Sequence, residues 1–149
     1  MFGKLRNVFG RKRAKEAPRE TDELFGLSTL NAEEKQRIGT EQDPLRGYEA
    51  AVERHEQAMG ADRRGDPDTA IRLYEQSVAE GFVGSHPYET LASLHERRHN
   101  HEAALRVTEA YIHLAESGAM PRGAQRSATR KLPDFQARAS RYKRLMQSP

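Results

Sequence analysis

One stretch of fourteen residues occurs twice, at 62–75 and at 96–109. Five positions are identical between the copies: Arg63/Arg97, Arg64/Arg98, Ala70/Ala104, Arg72/Arg106 and Glu75/Glu109. Asp62/Glu96, Ile71/Leu105 and Leu73/Val107 are conservative pairs. The offset is 34 residues. A period of that size marks a helical-hairpin repeat, in which each unit buries its apolar face only against its neighbours. The expected fold class is therefore all-α.

The remaining composition agrees with a thin helical stack. At 149 residues the chain suffices for one domain. It is 36% apolar and 32% charged, with a mean hydropathy of −0.92, which implies much exposed surface. No window approaches the roughly 18 apolar residues of a membrane-spanning helix. The N-terminus has neither the apolar run nor the cleavage site of a secretory signal. The absence of cysteine removes disulfide and thiolate chemistry and fits a cytoplasmic setting.

Charge is distributed in blocks. Residues 1–19 carry seven Lys/Arg and one Glu, residues 20–121 ten Lys/Arg and twenty Asp/Glu, and residues 122–149 eight Lys/Arg and one Asp. Two basic ends flank an acidic middle. They are either solvated tails or contacts for an anionic surface, lipid or nucleic acid. Near the start, Phe2, Leu5, Val8 and Phe9 share a helical face, with Lys4, Arg6, Arg11, Lys12, Arg13 and Lys15 around it. That is the composition of a short helix lying in a membrane interface. The alternative is a disordered basic tail, since helices this short are marginal in water.

The chain divides into three regions: an N-terminal segment and linker at 1–30, a repeat domain at 31–118, and a basic connector with a capping helix at 119–149. Asn31 with Glu34 predicts a two-turn helix ending at Gly39. Asp43-Pro44 predicts the start of a helix whose face runs Leu45, Tyr48, Val52, His55, Met59. Gly65 ends it, and Asp66-Pro67 opens a second helix with Ala70, Ile71, Tyr74 and Val78 inward. Ser85 or His86 caps a third, with Leu91, Ala92, Leu94 and His95 inward. Asn100 caps a fourth, with Ala104, Leu105, Thr108, Tyr111 and Ile112 inward. Residues 117–131 read as a polar connector, and Pro133 as the start of a last helix with Leu132, Phe135, Ala139, Tyr142 and Met146 on one face.

The two units resemble tetratricopeptide repeats. In residues 85–118, Tyr88 lies early in the first helix, Leu91-Ala92 supplies the large-small pair, and Ala104 fills the small-residue slot of the second helix. In residues 51–84, Gly65-Asp66 and Ala70-Ile71 match, while Arg54 and Gln57 stand where the family has apolar residues. Either the first helix is shifted in register or its loop is altered. The resemblance implies a right-handed stack that binds a protein or peptide along its concave face. It implies a groove lined by His86, Glu89, Ser93, Glu96 and Arg97 in one unit, and by Val52, His55, Met59, Asp62 and Arg63 in the other. The Lys and Asn with which one subclass grips a C-terminal carboxylate are absent, and the acids suit a basic or mixed partner.

Residues 95–99 spell H-E-x-x-H, the zinc-peptidase motif. The aligned residues 61–65 are Ala-Asp-Arg-Arg-Gly, so Glu-Arg-Arg belongs to the repeat, and His99 falls where the helix should end. No other catalytic constellation stands out, and neither a cofactor nor a metal is expected. The preferred reading is a non-enzymatic adaptor, with a nucleic-acid accessory protein second and a zinc peptidase third.

Overall fold

The computed structural model describes residues 32–37, 40, 41 and 47–147. Among these there is helix and no strand: α1 (Ala32–Gln36), α2 (Tyr48–Arg63), α3 (Pro67–Ala79), α4 (His86–Arg97), α5 (His101–Ser117) and α6 (Arg122–Gln147). From α2 onward each helix packs on the next. The membrane-surface candidates Phe2, Lys4, Leu5, Val8, Phe9, Arg11, Lys12 and Arg13 lie outside the described residues. So do the expected caps Asn31 and Asp43-Pro44.

The repeat is present in the backbone geometry as well as in the residues. At the α2–α3 turn the N–H of Asp66 donates to the carbonyl of Ala61 at 2.9 Å, and that of Gly65 to Asp62 at 3.1 Å. At the α4–α5 turn, 34 residues on, the N–H of Asn100 donates to His95 at 2.9 Å and that of His99 to Glu96 at 2.9 Å. Gly65 and His99 are both left-handed, with φ of 77° and 59°. That conformation ends a helix by satisfying its last carbonyls. Asp66 and Asn100 then cap the next helices, each Oδ1 accepting from the backbone N–H three residues on, at 3.2 Å and 3.1 Å. The correspondence continues into the first helices at Ala58/Ala92 and Ala61/His95, all buried.

Between these turns the inward faces interlock. Ala70, Leu73, Tyr74 and Ser77 are buried on α3, with Ile71 and Val78 half-buried beside them. On α4 the expected Leu91, Ala92, Leu94 and His95 are all buried. On α5, Ala104, Thr108 and Tyr111 are buried as expected, but Val107 and Ala115 take the places assigned to Leu105 and Ile112, which are half-buried. Ala70 and Ala104 are both 0% exposed. Leucine at either site must displace a neighbouring helix, so Ala70→Leu and Ala104→Leu are each expected to cost about 1–3 kcal/mol in urea unfolding. Unchanged stability in both would mean that these alanines do not mark equivalent tight sites.

The C-terminal helix departs from expectation. Residues 122–131 are helical and not a connector, which shortens the link after α5 to 118–121, and Pro133 lies inside the helix. An interior proline removes one ladder hydrogen bond and costs about 3 kcal/mol. Packing on both sides offsets that: Ala124 and Ala128 before Pro133, and Phe135, Ala139 and Tyr142 after it, are buried. Met146, expected inward, is 46% exposed.

Candidate functional site

The groove residues predicted from α2 and α4 divide into three groups. His55 is fully buried and cannot meet a partner, which corrects its assignment to a binding surface. The same holds for Val52. Glu89, Ser93 and Glu96 are already engaged by α6. Met59, Asp62 and His86 are half-buried, and Arg63 and Arg97 are exposed.

The second group builds a polar seam between α4 and α6. Glu96 takes a two-pronged contact from Arg141, Nη1 to Oε2 at 2.8 Å and Nη2 to Oε1 at 3.1 Å. The Tyr142 hydroxyl donates to the same Oε1 at 2.8 Å. Hydrogen bonding from Arg141, aided by Tyr142, outweighs burial and pushes the Glu96 carboxyl down to about 2. Arg138 donates to Ser93 Oγ at 3.0 Å and to the Glu89 carbonyl at 3.3 Å. Lys131 donates to Ser85 Oγ at 2.6 Å and lies 3.7 Å from Glu89. Ser85 occupies the N-cap position of α4 without capping it, because its hydroxyl faces α6 instead. A cleft of about 220 Å³ opens along this seam between Glu89, Asp134, Phe135 and Arg138.

The α6 residues of the seam are not among those the sequence marks as functional, because helical periodicity puts them on outward faces. The signal that could have found them is the charge asymmetry. Lys131, Arg138, Arg141 and Lys143, half of the eight C-terminal cations, are engaged by the acidic middle of the same chain. An anionic ligand is therefore not needed to account for them.

A second node joins the two hairpins. Glu75 of α3 receives both Arg106 Nη atoms, at 3.1 and 2.6 Å, and lies 2.9 Å from His95 Nε2. Burial would raise its carboxyl, but the hydrogen bonds from Arg106 and His95 outweigh that and hold it low. Its repeat partner Glu109 faces Lys143 of α6 at 3.6 Å. In both cases a carboxylate on the second helix of one unit is met by a cation from a later helix.

These contacts take the H-E-x-x-H motif apart. His95 turns to Glu75, Glu96 to Arg141 and Tyr142, and His99 is the left-handed turn residue. Among the described residues no group of three His, Cys, Asp or Glu is arranged to hold a metal ion. No helix among them is long and apolar enough to cross a membrane.

Comparison with known proteins finds no matching family model, no matching curated protein and no matching solved structure.

Proposed function

We propose that this chain is a non-enzymatic adaptor of tetratricopeptide-repeat type, built to hold a protein or peptide against its first-helix surface. The observation that carries the reading is the 34-residue repeat of the turn geometry, with Gly65-Asp66 and His99-Asn100 as equivalent pairs. Repeats of this kind present side chains of successive first helices along one face. The side chains that reach solvent on that face are Met59, Asp62, Arg63, His86 and Arg97, with the cleft at Glu89 and Arg138 beside them. Because α6 neutralises Glu89 and Glu96, the face is mixed in charge rather than acidic. The ligand chemistry that fits is a peptide with both signs of charge and an apolar residue for Met59. A basic amphipathic N-terminus fits a tether to an anionic membrane surface.

Selection from a random peptide library on the intact chain, followed by chemical-shift mapping of a selected peptide, tests the reading. Shifts should cluster at Met59, Arg63, Arg97 and Arg138, and Arg97→Glu should weaken binding several-fold. Failure to enrich any peptide, or shifts confined to the outer face of α5, would overturn it. Flotation with anionic vesicles tests the tether separately. Phe2→Ala with Phe9→Ala should abolish it, and raising the salt to about 0.5 M should weaken it strongly.

A further inference from the structure

The two ends of the stack carry opposite charge patterns on faces turned away from the core. On α2, Glu49, Glu53 and Glu56 are exposed, and their spacing keeps them on one face. Val52, His55 and Ala58 lie on the other side, buried. Gly60 extends the outer face, and the Arg64 guanidinium folds back over it, 3.2 Å from where a Cβ would stand. The outer face of α2 therefore reads acid, acid, acid, base.

On α6 the exposed residues at four-residue intervals are Arg122, Arg126, Arg130 and Asp134, opposite the buried Ala124, Ala128 and Phe135. That face reads base, base, base, acid. None of these eight charges meets an opposite charge within ion-pair distance among the described residues. Lys131, Arg141 and Lys143 elsewhere on α6 all do.

Direction and spacing match as well as sign. Successive helices joined by short turns run antiparallel, so α2, α4 and α6 point the same way. A second copy advanced along the stack would lay its α2 parallel to α6. At a rise of about 1.5 Å per residue, the three arginines span about 12 Å and the three glutamates about 10 Å. Asp134 lies twelve residues beyond Arg122, and Gly60, beneath the Arg64 guanidinium, lies eleven beyond Glu49. All four pairings come into register together. Two α6 faces laid parallel would instead set arginine against arginine.

We propose that the chain self-associates head to tail, the outer face of α6 in one copy docking on the outer face of α2 in the next. Such a contact is heterologous and leaves both ends of a dimer free to grow. Exposed ion pairs contribute little individually, so the association is weak and salt-sensitive.

Sedimentation velocity on the full chain is the test, from about 10 µM to about 1 mM at low salt and again at about 0.5 M salt. The sedimentation coefficient should rise with concentration at low salt and lose most of that rise at high salt. Arg126→Glu with Arg130→Glu blocks one end, and Glu53→Arg with Glu56→Arg blocks the other. Each double variant should be monomeric alone with an unchanged melting temperature, since all four positions are exposed. An equimolar mixture sets opposite charges against each other at both contacts, the native pair of faces and the charge-swapped pair, and should again sediment faster as concentration rises. A wild-type chain that stays monomeric throughout would overturn the proposal. So would a mixture that does not associate. If the wild type is monomeric and Arg126→Glu with Arg130→Glu instead reduces flotation on vesicles containing phosphatidylserine, the arginine row faces lipid and the proposal is wrong.

Discussion

Phe135→Ala is expected to cost the full chain about 3–5 kcal/mol of unfolding free energy, the range for emptying a closed site of a phenyl ring. Phe135 is 1% exposed. Its ring lies 4.3 Å from that of Tyr111, which in turn lies 5.0 Å from Tyr88, so one aromatic column runs through α6, α5 and α4. The Tyr88 hydroxyl donates to the Phe82 carbonyl at 2.7 Å and ties the α3–α4 loop to the same column. Phe135 and Tyr142 of α6 are both buried in the one core cluster, so α6 closes the core on the side of α5. Met146→Ala, at an exposed position on the same helix, should change stability by less than about 0.5 kcal/mol. Urea unfolding of both variants checks the pair. A Phe135→Ala cost under about 1 kcal/mol would mean that α6 is a basic arm and not a cap. Truncation after Lys131 removes Phe135, Ala139 and Tyr142 together and should also reduce solubility, by baring the face of α5 that they cover.

The all-α class and the turns of both hairpins are legible in the sequence, because Gly65-Asp66 and Asn100 are local signals whose chemistry acts within one turn of helix. The inward faces of α3, α4 and α5 are legible because Tyr74, Leu91, Leu94 and Tyr111 are large residues at helical spacing. The first half of α6 is not. Its buried positions are Gly123, Ala124 and Ala128, which carry little apolar bulk, and Pro133 imitates a helix start. That proline is tolerated only because tertiary packing holds both flanks, which no local rule reports. The contacts of the expected groove residues are illegible for a related reason. Periodicity alone turns the acids of α4 and the bases of α6 outward, whereas long-range folding sets Glu96 against Arg141 and Tyr142. His55 shares a helical face with groove residues, but α2 turns it fully into the core.

His55 should make the fold acid-sensitive well above the range where carboxylates titrate. Its ring packs 5.5 Å from Phe82, 6.2 Å from Tyr74 and 5.0 Å from His86, centroid to centroid. Neither ring nitrogen has a hydrogen-bond partner among the described residues. Burial, with a smaller contribution from the neighbouring His86, pushes its pKa from 6.5 down to about 4. Above pH 6.5 the imidazole is neutral in both states and adds no pH dependence. Between pH 6.5 and about 4 the unfolded chain takes up a proton that the folded chain refuses, so stability falls as pH falls. The loss across that window is about 3 kcal/mol. Glu96 acts lower. Its carboxyl is depressed from 4.5 to about 2, so the stability it confers is complete above pH 4.5 and disappears on going down toward pH 2. The two windows can therefore be separated by substitution. His55→Leu should flatten the upper window, and near neutral pH it should stabilise the chain by about 1–2 kcal/mol, since it removes two buried polar atoms that have no partner. Glu96→Gln should weaken the fold near neutral pH and flatten the lower window while leaving the upper one intact. Melting temperatures at half-unit steps from about pH 7.5 to about pH 3 read both. If His55→Leu melts with the same pH profile as the wild type, His55 is not the group that senses acid.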